Sequence, residues 1–494
     1  MLKVYVKPSC ILLYPYKRGQ IPFIEKFLGV WDVVTHKYDH FMFCFDKEND
    51  SPYGALKIPK GVGPEIVEQM INDSGEPYTI IDRNNEYPDA KVIDVPMKVG
   101  PKNDIQRKAI EFLNLYAAKN HQVFLALDVG QGKTYCTVKH ISDMKKTAMI
   151  ISYNLSYQWQ DRITGKDGYT KLVNGTDVIN IVGTQYLEDC IHGKERPNAK
   201  IYLVTIGTLS KLIEMYGYEE LQKVADALKI GIKVFDEAHT RYKLFNAIDL
   251  NMQVDETIYL TATPGRSKDA EDRMYNKIYA KIPRYGEFTS KMNMHYIINY
   301  IMLDSHATSK DRLEMKTARG LSSLKYTRFL MDKYFDQIMQ LIMSKFEPIL
   351  KEDDVSKVLI VTDWLQDIQA MRDWFKRRYK QYSCGTYCML IDKKVEREKQ
   401  LEARIIIGTV GSMQNGKDIP NLRAIFPLTQ FSSTIVARQL LGRLRPIKDK
   451  HVFYWDICDR GVYDTIRERK SRDSVFRERA ANEIREEFID LARY

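Results

Sequence analysis

Six short apolar runs, each followed by a polar or glycine-containing turn, constrain the fold of residues 99–288 more than any other feature. Helical stretches separate the runs, which are "VFLAL", "TAMIIS", "VINIVG", "KIYLVTI", "IKVFDEAH" and "TIYLTAT". Strands that are apolar along their whole length are typical of a parallel sheet covered by helices on both faces. The pattern therefore predicts a doubly wound α/β domain over residues 99–288.

A second series of apolar runs predicts another doubly wound parallel sheet over residues 289–475. A helical stretch, "YFDQIMQLIMSKFEPIL", precedes the runs "KVLIVTD", "YCMLID", "RIIIGT", "RAIFPL" and "HVFYWDI". After it, residues 476–494 combine alternating charges with spaced apolar residues, which favours a C-terminal helix packed by one stripe.

The first part of the chain has a different pattern. Residues 1–98 mix short strand-like runs such as "LKVYVK", "DHFMFCFD" and "YTIID" with a helix-like segment, "PEIVEQMIND". This predicts a small N-terminal α+β domain with an accessory or substrate-binding role. The segment "VPMKVGPKND", with two prolines and a glycine, predicts a linker to the first α/β domain.

Net charge, cysteine content and the length of the apolar runs limit the partners and the compartment that we expect for the protein. The net charge of +10 is compatible with a polyanionic partner but does not require one. The 7 cysteines are scattered and odd in number, which favours a reducing compartment, and their spacing argues against structural zinc. Because no apolar run approaches the ~20 residues that span a bilayer, we expect a soluble, cytoplasmic protein without a membrane partner.

The segment 127–135, "LDVGQGKTY", lies between an apolar run and a helical stretch, which is the context of a phosphate-binding loop. Gly130 and Gly132 allow backbone N–H groups to turn towards an anion, and the following helix adds its dipole. Lys133 can reach the β- and γ-phosphates of a nucleotide, and the Thr134 hydroxyl can join a Mg²⁺ shell. A chance strand-to-helix turn is the alternative, because Leu127 stands where the general pattern has glycine.

The segment "KVFDEAH" is an apolar strand that ends in two carboxylates. At the carboxyl end of such a strand Asp236 can hold Mg²⁺, and Glu237 can orient and deprotonate an attacking water. We expect this strand to be the neighbour of the strand before the lysine loop. An exposed acidic helix start is the alternative.

Together these segments resemble motifs I and II of the superfamily 2 helicases and translocases. The segments "LTATP", "IISYNLSYQWQDRI" and "TIGTLSKL" are similar to motifs III, Ia and Ib, and "IQRKAI" to the adenine-recognising segment before motif I. Later in the chain, "KVLIVTDWLQDIQAM", "IIIGTVGSMQNGKDIPNL" and "QLLGRLRP" are similar to motifs IV, V and VI. The resemblance covers most of residues 101–460 and implies two RecA-like domains that use ATP and Mg²⁺ to move on a nucleic acid.

The resemblance also implies a set of site residues. ATP binding is assigned to Gln106, Gly130, Gln131, Gly132, Lys133, Thr134, Gly416 and Asp418, and Mg²⁺ binding to Thr134 and Asp236. Catalytic roles fall on Lys133, Asp236, Glu237, His239, Gln439, Arg443 and Arg445, and nucleic-acid contacts on Thr208 and Thr409.

Three departures from the family pattern refine this assignment. Asp128-Val129 reads like the motif I variant of DNA translocases related to chromatin remodellers, so the missing glycine does not speak against ATP. Pro446 stands where motif VI has a second arginine, which leaves the arginine finger open between Arg443 and Arg445. Ile105 replaces the aromatic residue that often precedes the adenine-recognising glutamine.

A small N-terminal domain before a two-domain motor resembles phage recombination helicases of the UvsW type. This implies an ATP-dependent DNA helicase that unwinds or branch-migrates forked and four-way DNA, with single-stranded, forked or branched DNA as partner. The alternatives are a viral RNA or transcript-release helicase, a duplex DNA translocase without strand separation, and a non-catalytic junction-binding module with a degenerate motor. The oligomeric state stays open and a monomer is compatible with the sequence.

Several aromatic residues could either bind bases or pack in a core. The segment "WDVVTHKYDHFMFCF", residues 31–45, has several aromatic side chains that can stack on bases or fill a core. Its alternating spacing favours core packing. For Trp364 and Trp374, core packing is also the expectation.

Overall fold

The structure is a computed structural model that divides into two compact units, residues 1–288 and 289–494. It describes residues 1–17, 27–32, 36–39, 44–47, 53–97, 99–128, 130–153, 156–166, 169–262, 269–287, 296–317, 320–388, 399–414, 419–445, 447, 449–480 and 484–494.

The first unit begins with a small mixed α/β module. Its five-stranded sheet has the order β5-β6-β2-β1-β7, and its strands are β1 (Leu2–Val6), β2 (Cys10–Lys17), β5 (Cys44–Lys47), β6 (Tyr53–Pro59) and β7 (Tyr78–Asp82). Helix α1 (Pro64–Ser74) begins at a proline and buries Val67, Met70 and Ile71. A separate antiparallel hairpin joins β3 (Val30–Asp32) and β4 (Lys37–Asp39).

The rest of the first unit is a seven-stranded parallel sheet in the order β10-β11-β9-β12-β13-β8-β14. Its strands are β8 (Gln122–Leu127), β9 (Ala148–Ser152), β10 (Val178–Ile181), β11 (Ile201–Thr205), β12 (Ile232–Phe235), β13 (Glu256–Thr261) and β14 (Arg284–Glu287). The helices are α2 (Asp104–Asn120), α3 (Lys133–Met144), α4 (Ser156–Thr164), α5 (Gln185–Ile191), α6 (Ile206–Tyr216), α7 (Leu221–Leu228), α8 (Tyr242–Asn251) and α9 (Asp269–Ile278). All six apolar runs of the sequence are therefore strands of one parallel sheet.

One expectation about this sheet is wrong. The strand before the lysine loop, β8, and the strand that ends at Asp236, β12, are not neighbours, because β13 pairs with both of them. Parallel pairing still brings the carboxyl ends of all three strands to one edge. Because β13 lies between the other two strands, its carboxyl end lies at the same edge of the sheet, between the phosphate loop and Asp236.

The second unit contains another seven-stranded parallel sheet, in the order β19-β20-β18-β21-β22-β15-β23. Its strands are β15 (Tyr296–Asp304), β18 (Lys357–Thr362), β19 (Cys384–Tyr387), β20 (Ile405–Thr409), β21 (Leu422–Pro427), β22 (Val452–Asp459) and β23 (Ile484–Asp490). A short hairpin joins β16 (Lys316–Thr317) and β17 (Gly320–Leu321). The helices are α10 (Ser309–Glu314), α11 (Ser323–Glu352), α12 (Leu365–Arg378), α13 (Val410–Gln414), α14 (Thr434–Leu441) and α15 (Tyr463–Arg479).

The prediction of a C-terminal helix over residues 476–494 is wrong. Helix α15 ends at Arg479, and Ile484–Asp490 form an edge strand that pairs in parallel with β15. The alternation of charges in "IREEFID" suits this strand, because most of its side chains are exposed at the sheet edge.

The N-terminal module and the first parallel-sheet domain share one apolar core, which includes Leu13 and Leu56 of the module together with Ile278 of α9 and Ile282 before β14. A polar cluster reinforces the junction. Asp249 forms a buried ion pair with Lys233, at 2.5 Å. Its backbone carbonyl accepts a hydrogen bond from the Ser9 hydroxyl at 2.7 Å. The two parts of this unit are therefore packed together rather than tethered.

The predicted linker is held against the first parallel-sheet domain. The Val95 carbonyl accepts a hydrogen bond from Ser142 Oγ at 2.5 Å, and the Val99 carbonyl accepts one from Tyr135 Oη at 2.9 Å. Asn103 then caps α2 through the Gln106 N–H, at 2.9 Å. This segment is thus part of the domain surface.

The expectation that the aromatic residues of the segment 31–45 pack in a core is wrong for two of them. Trp31 and Tyr38 are 43% and 39% exposed. Residues 33–35 and 40–43 of that segment lie outside the described residues. Trp374 is buried, as expected, and its indole N–H donates to Asp336 at 2.9 Å. Trp364 is half-buried beneath the Arg328 guanidinium, which lies 5.3 Å from its ring centroid.

Neither a membrane-spanning helix nor a cluster of metal ligands occurs in the part of the chain that the structure describes. No helix there is long and apolar enough to span a bilayer. In the same residues, no group of three or more His, Cys, Asp and Glu side chains is arranged to hold a metal ion.

We expect Gly61→Ala to destabilise the first unit by about 1–3 kcal/mol, the usual cost of forcing an extra methyl group into a packed interface. A Cβ at position 61 would lie 2.4 Å from the Ile278 carbonyl oxygen and 2.8 Å from the Ile282 side chain. Urea unfolding of the two proteins measures the difference. Gly100→Ala is the matched control, because a Cβ there meets nothing within 4 Å. Equal stability of the two variants would contradict the tight junction.

Candidate active site

The phosphate-binding loop lies between β8 and α3, as its sequence context indicates. Gly130 and Gly132 have φ values of +86° and +95°, which side chains with a Cβ rarely adopt. Gly132 caps α3, so Lys133 and Thr134 occupy the first positions of the helix. The free N–H groups of this helix end point out of the loop and can bind an anion. Lys133 Nζ donates to the Leu127 carbonyl at 2.9 Å.

Gln106 holds this loop from the side. Its Nε2 donates to the Gln131 carbonyl at 3.2 Å, and its Oε1 accepts from the Lys102 N–H at 2.8 Å. A Cβ on Gly132 would displace the Gln106 amide from this position, and the φ of Gly132 itself favours glycine. Both ends of the Gln106 amide therefore pair with backbone here, and each end has the capacity for one further hydrogen bond.

Asp236 and Glu237 follow β12 at the edge where the phosphate loop lies. Asp236 Oδ2 accepts a hydrogen bond from Trp159 Nε1 at 2.7 Å, and its Oδ1 accepts from the Glu237 N–H at 3.0 Å. Glu237 has a φ of +50°, which is uncommon for a residue with a side chain. Its Oε2 is buried and has no hydrogen-bond partner among the residues that the structure describes. Strain and an unpaired buried oxygen together mark Glu237 as a functional candidate.

Burial raises the pKa of Asp236, and the negative charge of Glu237 raises it further. Trp159 and the positive charge of Lys133 act in the opposite direction. A carboxyl group whose ionisation is opposed by burial and by a neighbouring negative charge favours a cation beside it. The Asp236 carboxylate and the Thr134 hydroxyl are hard oxygen donors, which fits Mg²⁺, an ion usually held by one or two carboxylates together with substrate phosphates and water.

His239 connects the DEAH segment to the end of β13. Its side chain is buried, and its Nδ1 lies 2.9 Å from Thr261 Oγ1 and 3.4 Å from Glu237 Oε2. Thr261 belongs to the motif III segment, of which residues 263 and 264 lie outside the described residues. His239 therefore lies between the candidate catalytic glutamate and Thr261, with a hydrogen bond to Thr261 and a longer polar contact to Glu237.

Trp159 is a site residue that the sequence reasoning did not single out. It lies on α4, within the segment that resembles motif Ia, and it is buried. A buried tryptophan needs an acceptor for its indole N–H, and the carboxylate of Asp236 is that acceptor. A tryptophan in an otherwise polar helical segment, "SYQWQD", was the available signal.

The candidate residues of motif VI lie around the end of α14. Gln439 is half-buried on that helix. Arg443 is buried, and its Nε donates to the Met413 carbonyl of α13 at 2.9 Å. Arg445 is half-buried. Gly416, Asp418 and Pro446 lie outside the described residues.

Thr208 and Thr409 both lie where a parallel strand turns into a helix. After β11, the Thr208 N–H donates to Thr205 Oγ1 at 3.2 Å, and the two hydroxyl oxygens are 3.1 Å apart. After β20, the Ser412 N–H donates to Thr409 Oγ1 at 3.2 Å, and the hydroxyl oxygens are 2.8 Å apart. The sequences "TIGT" and "TVGS" thus build the same cap in the two units, with Thr409 corresponding to Thr205 and Ser412 to Thr208.

Comparison with known proteins finds a sequence-family match within the first parallel-sheet domain. Residues 101–266 match the family described as "Type III restriction enzyme, res subunit". A relative from Haloarcula marismortui, named "Putative DNA 3'-5' helicase Rad25", is 26% identical over 214 residues. That alignment covers 43% of this chain and 30% of the relative, so the chain spans less than a third of the relative's length.

Solved structures show the same fold. Saccharomyces cerevisiae Dbp5, in a structure titled as bound to RNA and ADP BeF3, matches at a TM-score of 0.50 and 14% identity, over 78% of this chain and 89% of that one. T4 UvsW aligns over 99% of both chains at 12% identity, with a TM-score of 0.35. The two seven-stranded parallel sheets and the Dbp5 match together define two RecA-like doubly wound domains with a small N-terminal module, and the chain resembles the superfamily 2 helicases.

We expect Glu237→Gln to raise the melting temperature of the ligand-free protein at neutral pH by about 2–4 °C. Removing the charge that raises the pKa of Asp236 removes part of the cost of ionising Asp236 in the folded state. An acid whose pKa is raised by folding destabilises the folded state above its ordinary pKa. The gain should therefore disappear as the pH falls below the ordinary range of an aspartate.

Differential scanning calorimetry between pH 3 and pH 8 measures this gain. Glu111→Gln, on the exposed side of α2, is the control and should change the melting temperature little at any pH. A melting temperature for Glu237→Gln that is unchanged or lower at neutral pH would contradict the repulsion between the two carboxylates.

Proposed function

We propose that this protein is an ATP-dependent DNA helicase or translocase that couples ATP hydrolysis to unwinding or branch migration of forked and junction DNA. We propose further that it serves phage replication, recombination or repair in the host cytoplasm. The observation that carries the proposal is the common sheet edge of the first domain, where the glycine loop before Lys133 follows β8 and the carboxylates of Asp236 and Glu237 follow β12.

In this proposal the first domain binds the phosphates of ATP. The N–H groups at the start of α3 and the Lys133 ammonium hold the β- and γ-phosphates, while Thr134 and Asp236 hold Mg²⁺. The bound cation supplies Lewis-acid stabilisation of charge on the phosphoryl group. Glu237 orients the attacking water and accepts its proton, for which its unpaired Oε2 supports the assignment.

His239 is proposed as the group that reports the state of this site. Its contacts with Glu237 and Thr261 support a role in coupling hydrolysis to motif III. For Gln439 we propose contact with the γ-phosphate, as the resemblance implies. Gly416 and Asp418, which lie outside the described residues, keep their proposed roles in ATP binding.

We assign the arginine finger to Arg445 rather than Arg443. The support is that Arg443 is buried and bound to the Met413 carbonyl, which gives it a structural role between motifs V and VI. An arginine finger must reach a phosphate outside its own core, and Arg445 is the less buried of the two.

The nucleic-acid contacts are proposed at the two matching caps. N–H groups at the start of a helix are good partners for backbone phosphates, and such contacts carry no sequence information. Because Thr208 and Ser412 occupy the same position of the cap, we add Ser412 to the contacts already proposed at Thr208 and Thr409. The name of the Haloarcula relative favours DNA over RNA as substrate.

The experiment that tests this proposal is a comparison of ATP hydrolysis with single-stranded DNA, blunt duplex, forked DNA, four-way junctions and RNA, at two salt concentrations. We expect forks and junctions to stimulate turnover most, and stimulation to fall with salt because phosphate contacts dominate affinity. Lys133→Ala should abolish the stimulated turnover, because it removes the charge that binds the β- and γ-phosphates.

Lys139→Ala is the matched control for Lys133→Ala, because Lys139 lies on the same helix and pairs with Asp143 instead. It should retain wild-type turnover. Strongest stimulation by RNA would overturn the DNA assignment. Hydrolysis without displacement of a forked strand, but with triplex displacement on blunt duplex, would favour a duplex translocase.

Two arginine variants separate the candidates for the finger. We expect Arg445→Ala to lower DNA-stimulated turnover about 10³-fold without changing thermal unfolding. Arg443→Ala should also lower stability, by about 1–3 kcal/mol, because it leaves a buried carbonyl unpaired. Arg377→Ala, an exposed arginine on α12, is the control in both assays. Normal turnover of Arg445→Ala would return the finger to Arg443.

A further inference from the structure

The hairpin of β3 and β4 presents two aromatic side chains to solvent. Trp31 and Tyr38 are directly opposite each other in the antiparallel pair. Their ring centroids are 5.1 Å apart with an interplanar angle of 70°, and His36 lies 6.4 Å from the Trp31 ring. Because strand side chains alternate, Val30 faces the opposite way and is buried in the core of the unit.

This arrangement is costly unless the aromatic pair contacts something. Aromatic side chains are the largest apolar groups of a protein, and a contiguous exposed cluster of them marks an interaction site more often than a single exposed residue does. In an edge-to-face pair each ring retains a face that the other ring does not cover, and such a face can stack on a flat partner. The exposed fractions of 43% and 39% agree with rings that are only partly covered.

The hairpin is fixed to a helix of the first domain by two cations. Arg273 Nη2 donates to the Trp31 carbonyl at 3.2 Å, and Lys277 Nζ donates to the Gly29 carbonyl at 3.3 Å. Both belong to α9, the first helix after β13, whose Thr261 contacts His239. The hairpin that carries the aromatic pair is therefore bound by two cationic side chains of α9, the next helix along the chain after β13.

We propose that Trp31 and Tyr38 form a stacking site for unpaired bases of the DNA substrate. Arg273 and Lys277 supply positive charge for the neighbouring phosphates. This inference rests on the proposed function and deepens it by assigning a contact with single-stranded DNA to the N-terminal module. Stacking on an aromatic ring needs an exposed base face, which a strand offers only where it is unpaired, as at a fork or junction.

Fluorescence anisotropy of a labelled oligothymidylate of 20 nucleotides tests the site. We expect Trp31→Ala and Tyr38→Ala each to weaken binding about tenfold, the loss usual for one stacked base. A strand of equal length with abasic sugars carries the same phosphates without bases, and its binding should be the same for wild type and both variants. Trp31→Phe should retain most of the affinity for oligothymidylate, because it keeps an aromatic face.

Tyr463→Ala is the matched control, since Tyr463 is an exposed aromatic residue at the start of α15, in the other unit. It should bind both strands as wild type does. Unchanged binding of oligothymidylate by Trp31→Ala and Tyr38→Ala would overturn the proposal. So would an equal loss on the abasic strand, or a change of oligomeric state without loss of base-dependent binding. If Trp31→Ala does not fold, Tyr38→Ala and Trp31→Phe decide the question.

The proposed motor function is tested independently of the stacking site. If oligothymidylate and forked DNA do not stimulate ATP hydrolysis by the wild-type protein, the motor assignment is wrong whatever the hairpin binds. If stimulation is present but the aromatic variants bind like wild type, only the stacking site is wrong.

Discussion

The parallel pairing of β8, β13 and β12 is the constraint on which the candidate site depends. Since parallel strands all end at one edge, this pairing brings the phosphate loop, Thr261 and the two carboxylates together from distant parts of the chain. The order of the strands matters as much as their direction. With β13 in the centre, His239 can contact Thr261, and the carboxyl end of β13 lies between the strands that carry the two halves of the site.

The residues proposed to act in catalysis have a backbone conformation and charges that destabilise the folded state locally. Glu237 has a positive φ and a buried, unpaired oxygen, and its charge opposes the ionisation of Asp236. Such features survive when the surrounding structure determines them, and they are typical of functional sites. Here the fully buried strands β8, β12 and β13 supply that rigidity, and Trp159 fixes the Asp236 carboxylate from a separate helix.

The two units use one local structure twice. In each, a threonine at the end of a parallel strand caps the next helix through the residue three positions later, which is a threonine in one unit and a serine in the other. This likeness ties motifs Ib and V together by geometry, although their sequences share only "T-x-G".

The apolar runs were sufficient to predict both parallel sheets, and the motifs placed the lysine loop and the carboxylates at strand ends, because these depend on residue type and spacing along the chain. Strand order, the partner of Asp236 and the edge strand at Ile484–Asp490 depend on which segments meet in space, and no local pattern encodes that. Exposure of Trp31 and Tyr38 is a similar case. Alternation showed that one face of the hairpin is buried, but only the packing of Val30 against the core decided which face it is.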